Sequence, residues 1–144
     1  MLRRVAAIGL LFLLATTGIA VADSDVQSFW NTFREAALRG DSARVAAMTK
    51  LPLWVRGPDD SDQVVHYGRK DFDKILKKLL NQEVLVVKDE KVLTTNMLKI
   101  INDKRSITAR DLKTPDLFSV ELFTFEKKNG NWLFTRGYLE DAPP

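Results

Sequence analysis

Apolar residues recur at spacings of three and four along the first part of the chain: Val26, Phe29, Trp30, Phe33, Ala36 and Ala37. That stripe is one face of an amphipathic helix. Asp25 is its expected N-cap, and Arg39 falls in its last turn, where the helix dipole favours a cation. Gly40 then takes the place of a left-handed C′ residue. Asp41 is set to cap a second helix over SARVAAMTK, in which Val45 and Met48 share a face. Beyond it the period changes from helical to alternating. In LPLWVRG, Leu51, Leu53 and Val55 lie on one side and Pro52, Trp54 and Arg56 on the other, which predicts a strand with its initial proline at a sheet edge. PDDSDQ is a turn, and VVHYG a second short strand. Helical spacing returns in RKDFDKILKKLL: Phe72, Ile75, Leu76, Leu79 and Leu80 face inward and Lys74, Lys77 and Lys78 outward.

Residues 83–102 carry no clean period. Their β-branched content favours strand, while Val92, Met97, Leu98 and Ile101 tolerate helix, and the expectation is irregular structure or a short helix. SITARDL predicts a strand, and LFSVELFTFEKKNGNWLFTRGYLE a β-hairpin folded at Asn129-Gly130, the strongest short-range hairpin signal. Helices first and a run of strands after, with one helix between, predict an α+β fold. The tripeptide Arg39-Gly40-Asp41 also occurs in cell-adhesion ligands. Here each of its letters has a structural job at a helix junction, whereas an adhesion motif needs an exposed, flexible loop.

The ends and totals narrow the function classes. MLRRVAAIGLLFLLATTGIAVA has a positive start at Arg3 and Arg4, an apolar run from Val5 to Ala15, and a small-x-small site at Ala20-Val21-Ala22. It predicts a cleaved signal peptide over 1–22, a single domain over 23–144, and a periplasmic or secreted product. A retained anchor is the rival reading, since the uncharged run approaches bilayer-spanning length. After cleavage no stable membrane insertion is expected. The leader removes two arginines and no acid, which lowers the formal charge from +3 to +1. A nucleic-acid partner would want a concentrated basic face, but basic and acidic residues intermix even in the lysine-rich segment 69–105, so none is expected. With no cysteine in the chain, disulfides, thiol catalysis and cysteine metal sites are excluded.

The stretch FWNTFREAALRGDSARVAAMTKLPLWVRG resembles the opening of the nuclear transport factor 2-like superfamily: a long helix, a Gly-Asp junction, a second helix and a strand with a Pro-Leu pair. The last hairpin, with Asn131-Trp132-Leu133-Phe134, is similar as well. The resemblance implies N-terminal helices packed on a strongly bent antiparallel sheet, a cone around an apolar pocket. Ketosteroid isomerases and dehydratases of that superfamily use the pocket for catalysis, and many exported relatives only bind. Isomerase-like sites pair an acidic base with a tyrosine or a protonated acid, but Tyr67 and Tyr138, the only tyrosines, sit in no recognisable motif. Dehydratase-like sites pair a histidine with an aspartate. His66 is the one histidine, and its acidic partner is not identifiable.

The ligand-binding candidates are therefore Trp54, Arg56, His66, Tyr67, Trp30 and Phe33. Trp54 and Arg56 share a strand face, where a cation beside an indole can grip an anionic or aromatic group. The blander reading makes Trp54 core and Arg56 a rim charge. Trp30, Phe33, Phe123, Phe125, Trp132 and Phe134 are core types that also line cone pockets. His66 would serve as a general base near neutral pH, or be an ordinary strand residue. Asp59, Asp60 and Asp62 lack the glycine and distal glutamate of a calcium loop, so neither metal nor cofactor is expected. Two functions follow: a non-catalytic binding domain for a small apolar or amphipathic ligand or a protein partner, with a homodimer as one form, and alternatively a small isomerase or dehydratase working through His66.

Overall fold

The computed structural model describes residues 24–141, so the leader assigned to 1–22 lies outside them. The long helix α1 (Ser24–Leu38) starts one residue before the expected cap, placing Asp25 in its first turn, where a carboxylate also favours the dipole. Val26, Trp30, Phe33, Ala36 and Ala37 are buried along its inner face as the spacing requires. The helix ends one residue before Arg39, which pairs with Glu35 at 2.8 Å instead of sitting in the last turn. Gly40 has φ +68°; its N–H donates to Ala37 O and that of Asp41 to Ala36 O, the two bonds of a Schellman stop. The Asp41 carboxylate accepts from Arg44 N at 3.1 Å and opens α2 (Ser42–Ala47). Arg-Gly-Asp is thus a helix junction.

α2 stops at Ala47, short of the expected Lys50. The hydroxyl of Thr49 donates to Val45 O, and Phe134 N donates to Met48 O, so the sheet takes the backbone over before a further helical turn can form. The strand β1 (Thr49–Arg56) is not at an edge. It lies between β2 (Val65–Tyr67), antiparallel to it, and β8 (Asn131–Tyr138), parallel to it. Pro52 is accommodated at a register irregularity between Thr49 and Trp54 in the β1/β8 pairing, where a ladder donor is dispensable. α3 (Phe72–Asn81) buries all five expected apolar residues, and its Leu79 rests on Gly137, where an added Cβ would lie 2.9 Å from Leu79 Cδ1.

The expectation for 83–102 holds only at its C-terminal end, where a short helix does form; residues 83–96 are strands instead. β3 (Glu83–Lys88) and β4 (Lys91–Asn96) form a separate two-stranded sheet, and α4 (Met97–Asp103) follows, capped by the Asn96 side chain accepting from Lys99 N at 2.8 Å. Over 83–96 the β-branched residues prevail over helix propensity. The turn escaped notice because it uses Asp89 and Glu90 at φ +51° and +63°, a left-handed pair without the usual glycine. SITARDL is likewise not a strand. The Asp111 carboxylate accepts from both N–H and hydroxyl of Thr108 and pairs with Lys104 at 2.6 Å, and such local bonds displace a ladder. Pairing begins only with β5 (Leu112–Thr114).

The last stretch holds two turns, not one. β6 (Leu117–Val120) and β7 (Phe123–Lys128) meet at Glu121, φ +46°, and β7 and β8 at Asn129-Gly130, both left-handed as expected. The six-stranded order is β2-β1-β8-β7-β6-β5, antiparallel except for β1/β8, so the class is α+β. α1 covers one sheet face with Trp30 and Phe33 against Phe118, Phe125 and Phe134. No helix among the described residues is long and apolar enough to cross a membrane.

Gly40→Ala should cost about 1 kcal/mol, because the left-handed backbone is strained with a Cβ although the space around it is open. Asp41→Ala should cost a similar amount, about 1 kcal/mol, through the lost cap. Denaturant melts of both variants check this; unchanged midpoints would contradict the junction.

Candidate binding face

Strand alternation divides the candidate residues between the two faces of the sheet. Leu53 and Val55 point into the core at 0% exposure. Trp54 and Arg56 therefore point out of the opposite face, where Trp54 lies level with His66 on β2 and Arg136 on β8, and Arg56 level with Tyr138. The Trp54 indole has guanidinium carbons of Arg56 and Arg136 at 5.5 and 5.6 Å from its centroid. Arg56 is also 5.6 Å from the Tyr138 ring, and Tyr138 meets Trp54 edge-on at 5.3 Å. Cation and ring alternate across two strands in an arrangement worth several tenths of a kcal/mol to about 1 kcal/mol per contact at an exposed site. Arg56 is further tethered to Asp60 at 2.7 Å, while its Nε is buried without a hydrogen-bond partner.

Beside Trp54 is a depression of about 370 Å³ lined by Lys50, Pro52, Trp54, His66, Glu126, Lys128, Thr135 and Arg136. Glu126 is its sole carboxylate. Burial raises its pKa, but hydrogen bonds from Thr135 and Lys128 and the charges of Lys128 and Arg136 outweigh that and hold it below the ordinary glutamate value. Its Oε1 is 3.2 Å from Lys128 Nζ, and its Oε2 4.0 Å from Arg136 Nε. Glu126 is therefore already engaged, and the excess of Lys50, Lys128 and Arg136 leaves the depression electropositive. A larger hollow of about 650 Å³ at the end of α3 has no aromatic wall and sets Lys78 against Glu83, Glu140 and Asp141. Chemistry for orienting a ligand gathers at Trp54, not there.

The other candidates are elsewhere. Trp30 and Phe33 are 0% exposed, packed against sheet phenylalanines, and Trp30 Nε1 donates to Lys104 O at 2.7 Å. They are part of the packed core and have no exposed surface. Tyr67 lies on the core side of β2, opposite Leu53, beside a hollow of about 360 Å³ with Asp71, Lys74, Ile75 and Lys78. Burial, then the Asp71 carboxylate, push its hydroxyl above the usual tyrosine range, and that hydroxyl has no hydrogen-bond partner. His66 is exposed, and no carboxylate among the described residues hydrogen-bonds or pairs with it. Arg136, Tyr138, Glu126, Lys50 and Lys128 were not singled out as binding candidates from sequence. The alternation of Thr-Arg-Gly-Tyr in β8 held the signal for Arg136 and Tyr138, but only the parallel register with β1 brings them to Trp54.

Because Glu126 has a depressed folded pKa, its stabilisation is present above the unfolded glutamate value and is lost as pH falls through the folded one. Glu126→Gln should lower stability at pH 7 by about 1 kcal/mol or less. The gap to wild type should close in acid. Melts across pH check this; a gap persisting below the carboxylate range would contradict it.

No family model and no curated protein sequence matches the chain. It is similar to a solved structure described as a calcium/calmodulin dependent protein kinase II association domain from Xanthomonas campestris, at 16% identity over 82% of this chain and 86% of that one, with a TM-score of 0.36. Likeness at those levels transfers no activity or partner to this chain.

Proposed function

We propose that the chain is an exported, non-catalytic binding domain of the nuclear transport factor 2-like type, which holds an anionic group of a protein partner across the Trp54 face. The observation that carries this reading is the half-buried Trp54 indole held between Arg56 and Arg136 beside an electropositive depression. A rigid aromatic flanked by arginines is the usual composition of a binding anchor. The filled interior supports a surface partner over an enclosed small ligand, since Trp30 and Phe33 leave no exposed wall. His66, without a carboxylate partner, gives no support to the isomerase or dehydratase alternative. Export rests on the charged start, apolar run and Ala-Val-Ala site of the leader.

Trp54 is the one tryptophan of three outside the buried set, so its fluorescence reports on this face. Titration with hexaglutamate should quench it saturably, and added salt should weaken the effect. Trp54→Phe should remove the signal. Followed calorimetrically, Trp54→Ala should lose about 2 kcal/mol or more of binding, and Arg136→Ala should weaken it as well, while His66→Ala changes it little. Folded Trp54→Ala and Arg136→Ala proteins that bind normally would refute the face. Loss of binding on His66→Ala alone would favour the enzyme.

A further inference from the structure

A bulge in β8 assembles the Trp54 face. Phe134 points into the core, so strict alternation would send Arg136 inward as well. The pairing with β7 instead steps from Phe125↔Phe134 to Thr124↔Arg136, which leaves Thr135 as an extra residue and turns Arg136 out beside Trp54. Glu126 of β7 lies against this bulge. Its carboxylate spans Lys128 at 3.2 Å and Arg136 at 4.0 Å, and its side chain is only 14% exposed. The other arginine at Trp54 is also held by a carboxylate, Arg56 by Asp60 at 2.7 Å, but the Asp60 side chain is 97% exposed. Lys50, in the same depression, pairs with no carboxylate among the described residues.

The two internal carboxylates differ in how readily they give way. An exposed pair such as Arg56–Asp60 is worth at most about 1 kcal/mol and yields to a ligand easily. Glu126 already sits where an incoming carboxylate would bridge Lys128 and Arg136. Expelling it exchanges one carboxylate for another and strands a mostly buried charge, so a single anionic group gains little there. Granted the binding role proposed above for the Trp54 face, we propose that Glu126 is its specificity-determining residue, an internal competitor that bars single carboxylates and leaves the face to segments carrying several. A run of acidic residues engages Lys50 and Arg56 while Glu126 stays in place. Each of those contacts is weak alone, and linking them in one chain makes the later ones intramolecular.

Trp54 fluorescence of the protein, expressed from the full-length sequence, tests this at constant ionic strength. Glu126→Gln should bind hexaglutamate about threefold or more tighter than wild type, the weight of one ion pair released to the ligand. Acetate exchanged for chloride should quench the Glu126→Gln protein saturably and leave wild type unaffected. Glu35→Gln removes the same charge from α1, on the covered side of the sheet, and should behave as wild type in both titrations. An equal gain in Glu35→Gln would reduce the effect to bulk charge and overturn the proposal. So would hexaglutamate affinity that is unchanged or weaker in Glu126→Gln, the weaker case meaning that Glu126 holds the cations in place for the ligand. Acetate acting alike on the wild-type and Glu126→Gln proteins would overturn it too. Wild-type binding would survive each of these results as evidence for the face, whereas hexaglutamate that binds neither protein would overturn the face and the competitor together.

Discussion

Phe125 of β7 sits among the rings of Phe29, Trp30, Phe33, Phe118 and Phe134, at centroid distances from 4.7 to 5.8 Å. These rings clamp α1 to the sheet, and everything else is arranged around that clamp. Edge-on and offset ring pairs add roughly 0.5–1.5 kcal/mol each beyond the area they bury. Removing one such ring from a packed core costs about 3–5 kcal/mol. In a chain without cysteine, this packing is what holds α1 in place.

With Trp30 and Phe33 packed into the core, the paired aromatic and cationic side chains that stay accessible lie on the far side of the same strands. Strand alternation links the two: burying Leu53 and Val55 obliges Trp54 and Arg56 to point outward. The parallel pairing of β1 with β8 then sets Arg136 and Tyr138 beside them. Two strands far apart in sequence, each with a short alternating pattern, make one aromatic and cationic surface. Glu126, bonded within it, neutralises part of the charge without emptying the depression of its positive excess.

What the sequence disclosed follows the range of the interactions concerned. The α1 stripe, the Gly40 stop, the Asp41 cap and the Asn129-Gly130 turn depend on neighbours a few residues away, and all are legible. Trp54 and Arg56 were visible as a pair for the same reason. The Asp89-Glu90 turn hid β3 and β4 because glutamate, where a hairpin turn usually has glycine, takes the second left-handed position. Asp111 took SITARDL out of the sheet by bonds to Thr108, which β-propensity does not register. Whether Trp30 and Phe33 line a pocket or plug it turns on the opposing phenylalanines. Residue type is the same in either case, so only the packing decides.

The filled interior is the claim from which the rest follows, and an apolar probe tests it directly. Side-chain NMR signals of Trp30 and Phe33 can be followed while benzene is added to the native protein. The account expects those signals to stay in place up to saturation, because the rings already pack against each other and against Phe125 and Phe134. A saturable shift of the Trp30 and Phe33 signals would mean an open cavity between α1 and the sheet, and would return binding to the inside of the fold.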